Sequence, residues 1–114
     1  MTQARYSEAI IELKRGLVIL KNVQMEHTAH YRLILERLAH TCFLEKKFND
    51  SEKYFKIHRE LVLRASPNAV ANFRSLSNLL LFYMHYDVQK GAALLTDIQL
   101  NDFPPLYQKE LLFL

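Results

Sequence analysis

Five histidines, a single cysteine and twelve carboxylates are the side chains of this 114-residue sequence that are able to do chemistry, and their spacing decides what kind. His27 and His30 stand three apart, and Glu36 and His40 four apart, so each pair shares one face of a helix. A zinc ion needs three or four ligands, and no HExxH, CxxC or carboxylate-rich loop completes such a shell. These histidines read as polar-face residues, with no metal and no cofactor expected. His58 differs, because it falls on an apolar stripe; a buried ring hydrogen-bonded to backbone or to a neighbouring Tyr is expected there. Cys42 would be a nucleophile only beside a His and an orienting group. Its helical neighbours are Leu38 and Lys46, so it reads as a buried structural thiol. Gly16 and Gly91 both lie inside helical patterns, which leaves no Gly-rich loop to cradle a phosphate. Nothing nominates a substrate, and the chain is not expected to be an enzyme.

Composition narrows the class. Half of the residues are hydrophobic and there are only two Gly and three Pro, which argues against both disorder and a turn-rich β fold. One cysteine rules out an intrachain disulfide and gives no sign of an oxidising compartment, so an intracellular, cytoplasmic chain is expected. Residues 1–64 carry 12 Lys or Arg against 8 Asp or Glu, and residues 65–114 carry 3 against 4. A net of +4 in the first part is too mild and interspersed for a nucleic-acid footprint. Lys46, Lys47, Lys53, Lys56 and Arg59 are the best candidates for one, but Glu45, Asp50, Glu52 and Glu60 lie among them. The N-terminal segment mixes Arg5, Lys14 and Arg15 with Glu8 and Glu12, and import presequences avoid acids. The most apolar run, Leu79–Met84, is six residues long, far short of the roughly 20 that span a bilayer.

The elements that must position these side chains are helices. Tyr6, Ala9, Ile10, Leu13, Leu17 and Leu20 recur at helical spacing over residues 3–21. A second helix over about 25–44 carries Tyr31, Ile34, Leu35, Leu38, Cys42 and Phe43. A third over 51–64 has Asp50 as its expected N-cap and an apolar side of Tyr54, Phe55, Ile57, His58, Leu61 and Val62. Ser66-Pro67 opens a fourth over 68–86 with Val70, Phe73, Leu76, Leu80, Tyr83 and Met84 inward. Asp87 caps a fifth over 88–100, where Ala92, Ala93, Leu94, Leu95 and Ile98 suit close packing, and a short terminal helix is expected over 106–113. The whole of 1–114 reads as one all-α domain.

The stretch Leu38–His58, LAHTCFLEKKFNDSEKYFKIH, carries a more specific pattern. Core-type residues of varied size stand at Leu38, Ala39, Cys42, Phe48, Ser51 and Phe55, divided by polar breaks at Lys46-Lys47 and Asn49-Asp50. Moved back by 42 residues, Phe48, Ser51, Phe55 and His58 fall on Tyr6, Ala9, Leu13 and Gly16; moved forward by 38, Leu38, Ala39, Cys42 and Phe48 fall on Leu76, Ser77, Leu80 and Tyr86. This alternation resembles a degenerate tetratricopeptide repeat, although His58 stands where the family has a small residue and Cys42 where it prefers Tyr. The resemblance implies stacked antiparallel helical hairpins, a fragment of an α-solenoid that begins in mid-repeat.

It also implies a function. In that family the first helix of each hairpin lines a concave groove that receives a peptide or a partner's helix. By frame the groove residues are Arg37, His40 and Phe43 from one unit and Arg74, Asn78 and Leu81 from the next. Arg74 and Asn78 are similar to the residues with which chaperone-binding members hold a carboxylate, but the rest of that clamp is missing. A protein-interaction module or scaffold subunit with a mixed groove is expected, and Arg74→Glu should then weaken binding without lowering thermal stability. A second partner surface is expected at the apolar end, Leu111, Leu112, Phe113 and Leu114, through which the chain would form homo- or hetero-oligomers. An RNA-binding helical repeat is the alternative.

Overall fold

A computed structural model describes residues 3–65 and 69–97. It contains five helices and, among the described residues, no strand: α1 (Gln3–Asn22), α2 (Ala29–Leu44), α3 (Phe48–Arg64), α4 (Ala69–Tyr86) and α5 (Val88–Asp97). The all-α class expected from the periodicity is therefore observed. No described helix is long and apolar enough to cross a membrane. Ser66-Pro67, Ile98–Leu100 and the terminal helix expected over 106–113 lie outside the described residues.

Each helix packs against the next in the chain, and side-chain pairings give the directions. Ser7 meets Glu45 while Gly16 faces Ile34, so α1 and α2 run opposite ways. Phe43 touches Phe48 and His40 touches Phe55, which makes α2 and α3 antiparallel. Arg59 reaches Asn72 and Ser75 while Asn49 reaches Tyr86, so α3 and α4 are antiparallel as well. It follows that α2 and α4 run parallel, side by side on α3: Glu36 meets Arg74, and further along Phe43 meets Phe82 and His85.

Two turns owe their tightness to a residue with positive φ just past a helix end. Gln24 has φ 60° and Lys46 has φ 63°. After each, the following N–H returns to a carbonyl five residues back, from Met25 to Leu20 and from Lys47 to Cys42, closing off orphan acceptors of the preceding helix. These reversals shift two expected boundaries. α2 begins at Ala29 and not at Met25, because the chain has first to turn and be capped by Thr28, whose Oγ1 accepts from the Tyr31 N–H at 3.2 Å. α3 begins at Phe48 and not at Ser51. Lys47 is its N-cap, without a side-chain bond, and Asp50 sits inside the first turn, where its charge suits the helix dipole. Asp87 does cap α5, accepting from the Lys90 N–H at 3.2 Å.

The interior mixes large and small side chains. Ala39, Phe55, Leu79, Phe82 and Tyr83 form one buried cluster, and Ile10, Leu38 and Cys42 another, joined by Leu13, Leu17 and Tyr54. Each buried Leu or Phe contributes roughly 2 kcal/mol relative to exposure. Small residues set how closely the helices approach. Ser51, fully buried, donates from Oγ to the Ala39 carbonyl at 2.8 Å. A methyl placed on Gly91 would stand 3.2 Å from Tyr83 Cβ, so α5 meets α4 at a separation that suits glycine. Val70 and Met84, expected inward on α4, are instead exposed, as is Leu95 on α5. Phe48 and Tyr86, matched by the 38-residue shift, are not equivalent: Phe48 opens α3, Tyr86 closes α4, and their rings stack on each other at 5.1 Å.

Candidate functional site

Between the parallel helices α2 and α4 lies a cavity of about 180 Å³ whose floor is Phe55 of α3. His40 and Phe43 line it from α2, and Asn78, Leu81, Phe82 and His85 from α4. Its walls are rings held edge to face or tilted. His40 stands at 88° to Phe55 with centroids 5.0 Å apart, Phe43 lies 5.9 Å from Phe82, and Phe55 lies 5.5 Å from Phe82. Such geometry aims the positive ring edges at neighbouring π faces and holds the rings in place. Leu81 remains 44 % exposed at the mouth.

The N-terminal end of this groove is closed by a polar network centred on Glu36. Arg74 donates to it twice, from Nε to Oε2 at 2.8 Å and from Nη2 to Oε1 at 2.6 Å, and Asn78 Nδ2 donates to Oε2 at 2.6 Å. Glu36 is buried and Arg74 largely exposed. Burial pushes the Glu36 carboxyl up, but the bonds from Arg74 and Asn78, with the guanidinium charge, outweigh it and hold the group below its ordinary value. His58 lies buried on α3 with its Nδ1 lacking a hydrogen-bond partner among the described residues. The burial expected of this ring is observed, and the hydrogen bond expected of it, to backbone or Tyr, is not made by Nδ1. Burial pushes the His58 imidazole down, offset only in part by the field of Glu36. His40 is likewise pushed down by burial.

Four of the six residues assigned to the groove by frame, His40, Phe43, Asn78 and Leu81, thus share one cavity. Arg74 does not line it; its guanidinium is engaged by Glu36, which argues, against the expectation from the frame, that Arg74→Glu would lower stability. Arg37 is exposed on α2 outside the cavity wall, where its carbonyl accepts from Thr41 Oγ1 at 2.7 Å. Leu111, Leu112, Phe113 and Leu114 lie outside the described residues. Glu36, Phe55, Phe82 and His85 escaped sequence reasoning. For Glu36 a signal existed, since the 38-residue shift that aligns Leu38 with Leu76 also sets Glu36 on Arg74.

Other candidate chemistry is engaged elsewhere. Cys42 is fully buried and its thiol is pushed up by burial, the state of a packing residue. No group of three His, Cys, Asp or Glu comes together among the described residues to hold a metal ion. Of the basic set on the α2–α3 turn and α3, Arg59 points inward to the Asn72 carbonyl and Oδ1 and to Ser75 Oγ, and Lys56 pairs with Glu52 at 3.6 Å. Lys53 lies 5.5 Å from the centre of the Tyr54 ring, and Lys46 and Lys47 stand exposed at the turn. Arg59 is thereby withdrawn from the exposed basic set. No protein-family model, curated protein or solved structure matches this chain.

Proposed function

We propose that the chain is a protein-interaction module or scaffold subunit, built as a degenerate array of tetratricopeptide-like hairpins and acting by display, without catalysis. In this reading α2 with α3 and α4 with α5 are successive hairpins, α1 is the second helix of a preceding one, and the groove between α2 and α4 takes a peptide or helix from another protein. The observation that carries it is the ring-lined cavity shared by His40, Phe43, Asn78 and Leu81. The close contact of Ser51 with Ala39 supports the hairpin assignment, since interlocking through small residues is what that architecture demands. A cavity of this size suits one large apolar side chain, and a single buried anchor supplies roughly 2 kcal/mol or more of affinity.

A photo-crosslinking residue placed at Leu81, compared with one at Lys53 on α3, tests this reading in cell extract. Capture of a protein at position 81 that Phe43→Ala abolishes is the expected result. Capture confined to position 53 and lost on nuclease treatment would replace the groove reading with the RNA one.

A further inference from the structure

The walls of the groove are unevenly charged. Among the described residues α4 contains no Asp or Glu, and the one acid on α2, Glu36, is buried and bonded to Arg74 and Asn78. The exposed ionisable side chains of these two helices are His30, Arg37, His40, Arg74, His85 and Tyr86. Of the acids nearest in the chain, Glu45 accepts from Ser7 on α1, Glu52 from Tyr83 and Lys90, Asp87 caps α5 and Asp50 sits in the first turn of α3, while Glu26 stands exposed in the α1–α2 turn ahead of the start of α2. A segment lying in the groove therefore meets cationic and imidazole groups without an exposed carboxylate on either wall.

We infer that the occupant of this groove is an acidic segment of a partner protein, with one large apolar side chain in the Phe43/Phe55/Phe82 cavity and Asp or Glu residues directed toward Arg37 and the outer edge of Arg74. This rests on the groove reading above and adds the chemistry of the partner. The ends of α2 and α4 oppose it locally, because helix C-termini carry partial negative charge beside Phe43 and His85. That field fades within the last turn, and Arg37 and Arg74 stand seven and twelve residues before the ends of their helices. The acids are therefore expected on only one side of the anchor. Arg74 precedes Leu81 by seven residues, roughly 10 Å along a helix, a distance an extended segment covers in about three residues and a helical one in about seven.

The test is selection of a displayed library of random 16-residue peptides on the wild-type chain, with counter-selection on Leu81→Glu, a change at a half-exposed position checked by circular dichroism. The expected winners carry a large apolar residue with Asp or Glu at those offsets on one side. They should bind Arg37→Glu at least about tenfold more weakly and weaken as salt rises. Leu81-dependent winners with neutral or basic flanks would overturn the acidic partner while leaving the groove standing. Winners indifferent to Leu81→Glu, or none, would remove both.

Discussion

Glu36 and Arg74 face each other at corresponding places on α2 and α4, 38 residues apart, joined by two hydrogen bonds of 2.8 and 2.6 Å. Their exposures are unequal: the Glu36 side chain is 6 % exposed and that of Arg74 is 66 %. A guanidinium in contact with water loses little when its partner goes, whereas a buried carboxylate without its donor is left uncompensated. The pair thus fixes the spacing of the two groove walls, and its loss is felt from the acid's side.

Arg74→Ala should accordingly lower stability by about 2 kcal/mol, after allowance for the water that reaches the arginine. Arg74→Glu should cost more, since it sets a second carboxylate beside the first. Glu36→Gln should cost less than either, and replacing both residues by Met should recover most of the loss. Urea unfolding midpoints of the four variants check the order. Equal stability of Arg74→Glu and wild type would return Arg74 to the surface.

Two imidazoles, His58 in the interior and His40 at the cavity wall, predict how stability varies with pH. His58 and His40 are both held below their ordinary value of 6.5 by burial, so the unfolded chain binds protons there before the folded chain does. Their stabilisation is fully present above pH 6.5 and is lost as pH falls from there toward their folded values, by at most about 1.4 kcal/mol per pH unit for His58 and by less for His40, whose exposure lets water screen the charge. Glu36, also lowered, adds the same sign in a more acidic window, below its ordinary 4.5. Thermal melts between pH 7.5 and 5 should show a falling midpoint. His58→Leu should flatten that fall, and an unchanged slope in this variant would mean that His58 takes up its proton without leaving the fold.

The helical period and the inward faces could be read from the sequence because apolar side chains recur every three or four residues whatever the tertiary neighbours are. The turns were harder. Gln24 and Lys46 adopt positive φ although neither is Gly or Asn, so nothing in their identity marks a reversal, and the starts of α2 and α3 differ from those the periodicity predicts. Within the groove, His40, Phe43, Asn78 and Leu81 were reachable by frame, but Phe55 is a floor residue on another helix. Glu36 looked like any solvated acid until Arg74 and Asn78 were brought to it from 38 and 42 residues away.

Those same two turn residues give a stabilising prediction. A side chain with a Cβ in the left-handed region is strained by about 1 kcal/mol, part of which glycine returns as greater freedom of the unfolded chain. Gln24→Gly and Lys46→Gly should each raise stability by roughly 0.5 kcal/mol, nearly additively, since they stand in separate turns. Lys47→Gly, one residue on, where φ is −90°, should lower it. Chemical denaturation of the three variants distinguishes a conformational effect from the mere loss of a surface lysine.

The contact between Ser51 and Ala39 separates two explanations of how α2 and α3 hold together. If the hydrogen bond from Ser51 Oγ to the Ala39 carbonyl at 2.8 Å were the main contribution, Ser51→Ala would be the damaging change. That carbonyl, however, already has a ladder partner in its own helix, so removing the hydroxyl leaves no orphan acceptor and should cost only about 1 kcal/mol. The small volume matters more. Both residues have no exposed surface, and the hydroxyl of one lies against the backbone of the other's helix. Ser51→Leu forces them apart and should cost about 3 kcal/mol, loosening the Phe55 floor of the groove as well. The decisive comparison is the ratio of the two losses in urea unfolding. A Leu variant as stable as the Ala variant would show that the close approach of α2 and α3 is incidental, and the geometry of the groove above it would lose its support.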